Sequence, residues 1–100
     1  MAVTSKVLFR GAAATTSTTL YTTPATATAV VTNIGVTNTT TAAVTTSILF
    51  DDVAILSDVS VDANASIFID LKQVVDASDT IKGSASTTAV NFHISGVEII

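Results

Sequence analysis

His93 is the single histidine of the chain, so a Ser-His-Asp relay has to be built on it, with an aspartate from a turn and one of many serines. The local text assembles nothing of the kind. No Gly-x-Ser-x-Gly elbow occurs, and the flanking Phe92 and Ile94 take the inward parity of a strand, which leaves His93 facing solvent or a neighbour. Metal chemistry has two candidate sets: Asp76, Ser78 and Thr80 in DASDTIKG, and the adjacent pair Asp51 and Asp52. The first lacks the glycine and the closing bidentate Glu of a calcium loop. Asx side chains bond their own backbone, and turn chemistry is the expected role of Asp51, Asp52, Asp58, Asp62, Asp76 and Asp79. The four glycines are scattered and form no phosphate cradle, and the absence of Cys excludes disulfides, thiolate ligands and thiol nucleophiles. The expectation is therefore no catalytic residue, no metal and no cofactor, in a protein that is not an enzyme.

The chain that must position these side chains has 100 residues and a mass of 10.2 kDa, which is the size of one domain spanning 1–100. Charged residues make up 12% and apolar residues 48%, and Thr and Ser occupy the place that charges usually take. Such a chain has too little charge and too much hydrophobicity to be disordered. A net charge of −4 with four scattered basic residues makes no phosphate-binding face, so a nucleic-acid partner is not expected. No apolar run approaches the roughly 20 residues of a membrane-spanning helix, and MAVTSKVLFRG does not read as a signal peptide, so no membrane partner is expected either. Asn38-Thr39-Thr40 and Asn64-Ala65-Ser66 match the glycosylation sequon, but in so Thr-rich a chain the matches arise by chance.

Abundant Val and Thr favour strands throughout, because β-branched side chains fit a pleated surface and lose rotamer freedom in helices. Val3 to Phe9 alternates, with Val3, Ser5, Val7 and Phe9 on one face and Thr4, Lys6, Leu8 and Arg10 on the other. GAAATT, residues 11–16, reads as a connection with little to bury. A short strand surrounds Leu20 and Tyr21, and Pro24 ends it. From Ala27 onward Val30, Thr32, Ile34 and Val36 share a face, and Ala42 to Phe50 follows as a strand after a short polar loop. The simplest pairing of those two is a hairpin. Val53 to Leu56 is then a third neighbour beyond the Asp51-Asp52 turn.

Residues 66–75, SIFIDLKQVV, read two ways. At period two, Ile67, Ile69 and Leu71 face inward; at period 3.6, Ile67, Leu71, Val74 and Val75 form a helical stripe with Ser66 as N-cap. The β-branched start and the strand-like surroundings favour the strand. Thr80 to Ser86 reads as a strand broken at Gly83. In the last segment Val90, Phe92 and Ile94 face inward, and Val97 and Ile99 sit on the other parity, so a β-bulge is expected at Gly96. Seven or eight short strands at intervals of roughly ten residues predict an all-β fold, an antiparallel β-sandwich or jelly-roll-like barrel.

The text LYTTPATATAVVTNIGVTN, then DASDTIKGSAS and a closing VNFHISGVEI, resembles small structural proteins of tailed-bacteriophage virions. The positions that carry it are Leu20, Tyr21, Thr22, Pro24, Val30, Val31, Asn38, Asp79, Ile81, Gly96, Val97 and Glu98. The resemblance implies a capsid decoration (cement) protein located on the virion, binding the major capsid protein and copies of itself as a dimer or trimer. A tail, neck or fibre component of the virion is the alternative, and a β-module binding carbohydrate or a host surface is a third. The segment 1–16 is the expected contact arm. The candidate interface residues are Val3, Lys6, Leu8, Arg10, Tyr21 and Phe68.

Overall fold

A computed structural model of the chain describes residues 2–100. Strands follow one another as β1 (Val3–Ala12), β2 (Thr18–Thr22), β3 (Thr28–Asn38), β4 (Val44–Phe50), β5 (Val53–Val61), β6 (Ser66–Val75), β7 (Thr80–Ala85) and β8 (Val90–Ile99). They form two four-stranded antiparallel sheets, ordered β1-β8-β3-β6 and β2-β7-β4-β5. Each strand pairs with the one equally far from the other end of the chain: β1 with β8, β2 with β7, β3 with β6, β4 with β5. The molecule is thus one long antiparallel ribbon, rolled until β8 lies beside β3 and β7 beside β4. That is the jelly-roll form of the β-sandwich.

The ribbon tip is the Asp51-Asp52 turn, whose two residues have φ of 52° and 61°. Positive φ at both central positions of a two-residue hairpin matches the right-handed twist of the strands, and Asp tolerates it better than most residues. Behind the tip the ribbon folds at three corners, and at each the two crossing loops hydrogen-bond each other. Thr23 N donates to Asp79 O and Ser78 N to Thr23 O; Ala13 N donates to Val90 O and Ala85 N to Ala14 O; Asn38 N donates to Ala65 O and Asn64 N to Thr40 O. Asn38 adds a side-chain clamp at the third corner. Its Nδ2 donates to the carbonyls of Ala42, Val61 and Asp62 at 2.8, 3.1 and 3.1 Å, and its Oδ1 accepts from Thr40 N at 2.9 Å.

Phe92, Ile34, Ile94, Val31 and Val36 from one sheet meet Ile48, Ile81 and Val61 from the other, all of them fully buried. Each such side chain contributes about 1.5–3 kcal/mol on leaving water. Among the described residues no buried side-chain nitrogen or oxygen lacks a partner. The radius of gyration is 13.3 Å, and the Cα extents of 46 × 21 × 18 Å show an elongated body.

Residues 66–75 are strand, with Phe68 exposed and Ile67, Ile69 and Leu71 packed against the core. Several expectations are corrected. β3 and β4 are not a hairpin: they lie in different sheets, because the loop after Asn38 is the third corner and crosses the sandwich. A short polar loop reads alike in either case. Residues 3–12 form an edge strand paired along β8, longer than the strand expected over Val3 to Phe9, and Ala13, in a connection expected to bury little, is buried. Gly83 does not break its strand. Gly96 marks no bulge either. Phe92, Ile94, Gly96 and Glu98 keep one inward parity, and a Cβ at Gly96 would stand 2.2 Å from Val30 O, so glycine is required by the close approach of β3. The register shifts beside β8 fall instead at Leu8 in β1 and at Thr32 in β3. They turn Phe9 and Val31 inward and leave Val7 and Val30 on the outer side.

Candidate functional site

Two places concentrate chemistry, and both depend on the β1-β8-β3-β6 sheet. The first is the carboxylate of Glu98, carried inward on β8 and only 7% exposed. Lys6 reaches it from β1 at 3.2 Å, and the Tyr21 hydroxyl donates to it from β2 in the opposite sheet. The Tyr21 bond, with help from the Lys6 ammonium, holds the Glu98 carboxyl below its ordinary pKa, against the opposing effect of burial. Burial first, then the bond to Glu98 and its negative charge, raise the Tyr21 phenol far above its ordinary value. The cluster keeps a proton on tyrosine and a charge on glutamate, and it ties the two sheets together at one flank.

The second is the outer face of the same sheet. Register sets its side chains in rows across four strands. One row runs Ser5, Val97, Val30, Val74; the next but one runs Arg10, His93, Gly35, Phe68. Val3, Val7, Phe68 and Val74 are among the large apolar side chains that the fold leaves in solvent, at 61%, 44%, 69% and 60% exposure. The Phe68 ring lies over Gly35, where an added Cβ would be 2.8 Å from Phe68 Cε1. Arg10 Nε donates to His93 Nδ1 at 3.2 Å, and Asn33 Nδ2 to Asp70 Oδ1 at 3.0 Å in the intervening row. The outer face of the other sheet is paved with hydroxyls, from Thr19, Thr45, Ser47, Ser60, Thr80 and Ser84. The two faces of one sandwich thus differ in chemistry, and only the first offers a contiguous apolar row.

The six residues expected at an interface divide accordingly. Val3, Arg10 and Phe68 lie on this outer face. Leu8 does not: it keeps the inward parity of Thr4 and Lys6 and is only 6% exposed in the core. Lys6 and Tyr21 point to Glu98 and belong to the cluster between the sheets. Sequence reasoning missed Glu98 by slipping the parity at Gly96; alternation carried straight through that glycine would have found it. Val97 was missed by the same slip at Gly96 and Val30 by the undetected register shift at Thr32, while Val74 already shares the outward parity of Phe68 and Asp70 in the period-two reading.

At the opposite flank an open cleft of about 290 Å³ lies between the β4-β5 tip and the end of β6, lined by Val53, Ile55, Val74, Asp51, Asp76 and Asp79. Burial, and then the charges of Asp51 and Asp76, raise the pKa of Asp79. Among the described residues no three His, Asp or Glu side chains gather as a metal-holding group. Asn38, the first sequon, is 1% exposed with its amide nitrogen bonded to three carbonyls.

The chain matches no protein-family model and no curated protein. Among solved structures it is similar to a chain of the T13 IBDV viral particle, over 97% of its own length with a TM-score of 0.57 and 9% identity. It spans 30% of that chain. At that identity the likeness is one of fold alone.

Proposed function

We propose that this protein is a structural component of a virion, and within that class a decoration protein that binds the outside of a bacteriophage capsid and reinforces the shell. The observation that carries the reading is the rolled ribbon itself: nearly the whole chain is similar in fold to part of a viral-particle chain, and one sheet turns exposed apolar side chains outward. The sequence resemblance to small virion proteins supports it independently. A shell-bound module works by rigidity and by surfaces that fit neighbours, and this one has interlocked corners, satisfied buried polar groups and few charges to strip of water.

The partners in this reading are the major capsid protein and further copies of the chain. Purified protein mixed with shells of the capsid protein should co-sediment at a fixed stoichiometry and raise the temperature at which the shells open. Shells that neither bind it nor gain stability would remove the decoration role.

A further inference from the structure

We infer that the outer face of the β1-β8-β3-β6 sheet pairs with the same face of a second copy of this chain, about a twofold axis running parallel to the strands. The inference rests on the virion-structural reading above and adds to it the surface and geometry of self-association. The rows across the face decide the geometry. Ser5, Val97, Val30 and Val74 run from the β1 edge to the β6 edge, so an axis along the strands lays Val97 on the partner's Val30 and the β1 edge on the partner's β6 edge. Val97 and Val30 then meet as apolar surface, and Val74 covers the partner's Ser5. In the row Arg10, His93, Gly35, Phe68, the same operation brings Arg10 over the partner's Phe68. A guanidinium on an aromatic face is a favourable contact. Asp70 follows Phe68 by two positions on the same edge, within reach of an incoming Arg10 once the sheets take the roughly 30° rotation usual for aligned packing.

The other in-plane twofold, perpendicular to the strands, sets each strand on its own copy. Asp70 would then oppose the partner's Asp70, and like charges brought together out of water are costly. The size of the face also suits a pair. Strands of about ten residues rising ~3.3 Å each, four abreast at ~4.8 Å, give on the order of 600 Å². Two such faces remove roughly 1,200 Å² from water, the lower end of stable, specific interfaces. The hydroxyl-covered face of the other sheet offers no comparable apolar row.

The absence of cysteine from the natural chain makes the test clean. Ser5 and Val74 sit on opposite edge strands of one sheet, about 14 Å apart at ~4.8 Å per strand, whereas packed sheets stand only about 10 Å apart. The double variant Ser5→Cys, Val74→Cys should therefore be joined between subunits by a thiol-reactive bis-maleimide of about 10 Å span, and Asp70→Cys alone should not. Cross-linking of Asp70→Cys with none in the double variant overturns the proposed axis. Sedimentation equilibrium of the unmodified protein should show a dimer, and Val74→Lys, at an exposed position that leaves the core intact, should raise its dissociation constant tenfold or more. A monomer at high micromolar concentration, or a dimer indifferent to Val74→Lys, overturns the pairing. Because these measurements use the isolated protein, they can fail while shell binding succeeds, and the reverse.

Discussion

Tyr21 on β2 donates its hydroxyl proton to Glu98 on β8, and this single bond crosses from one sheet to the other beside the edge strand β1. A hydrogen bond to a charged, largely buried acceptor contributes about 1.5–3 kcal/mol, and Lys6 continues to neutralise Glu98 when the tyrosine is gone. Tyr21→Phe should therefore lower unfolding stability by about 1–2 kcal/mol at pH 7, measured by urea titration. No change would mean that the bond is replaced by water at no cost.

The same pair sets a pH dependence. The folded pKa of Glu98 lies below its unfolded value, so its contribution to stability is complete above the unfolded pKa and is lost as pH falls through the folded one. Glu98→Gln should flatten the acid limb of the stability profile, with its difference from the natural protein disappearing once Glu98 is protonated in the folded and unfolded states alike. An acid limb identical in the two proteins would contradict the assignment.

Asp79 should show the opposite sign. Its pKa is raised by burial and by the charges of Asp51 and Asp76, so ionising it costs stability as pH rises through the folded value. Asp79→Asn should raise the denaturation midpoint at pH 7, and the gain should vanish under strongly acidic conditions. The corner itself should survive, since Asp79 contributes its backbone there.

Two glycine substitutions separate a fixed contact from a yielding one. Gly96→Ala brings a Cβ against the Val30 carbonyl of a central strand and should cost more than 2 kcal/mol or prevent folding. Gly35→Ala presses closely on the ring of Phe68, which is exposed and free to swing out, and meets His93 Cβ at an ordinary 3.5 Å, so it should cost less than about 1 kcal/mol. Thermal denaturation of both variants checks the contrast.

Asn38→Leu should be among the most damaging changes at a polar position. It removes the Asn38 amide from the carbonyls of Ala42, Val61 and Asp62, of which Ala42 O keeps the Thr40 hydroxyl and Asp62 O the Ala65 amide, and it takes the acceptor from Thr40 N, at the corner where the ribbon crosses between sheets. A buried polar group left without its partner costs about 1–3 kcal/mol, so the loss of this clamp should cost about 2 kcal/mol in chemical denaturation.

Most strands were legible because β-branched residues alternate within them, and Ser66–Val75 was assigned correctly by its period-two pattern. The Asp51-Asp52 turn also pointed to the β4-β5 hairpin. What stayed hidden was whatever depends on contacts distant in sequence. The extra residues at Leu8 and Thr32 carry no Gly or Pro signature, yet each reverses which side chains face the core. Gly96 has the expected residue type for a bulge, but its reason is the Val30 carbonyl on another strand. Nothing local distinguishes the loop after Asn38 from a hairpin turn. For the site, Arg10 and Phe68 were readable as outward positions, whereas the Lys6, Glu98 and Tyr21 cluster joins three strands and appears only when both sheets are placed.

The central claim is that the chain is a structural part of a virion surface. Cryo-electron microscopy of the purified particle tests it most directly. The account predicts density for an eight-stranded sandwich of about 46 × 21 × 18 Å, seated on the outside of the capsid. Purified particles that lack the protein, by density and by mass spectrometry alike, would contradict it.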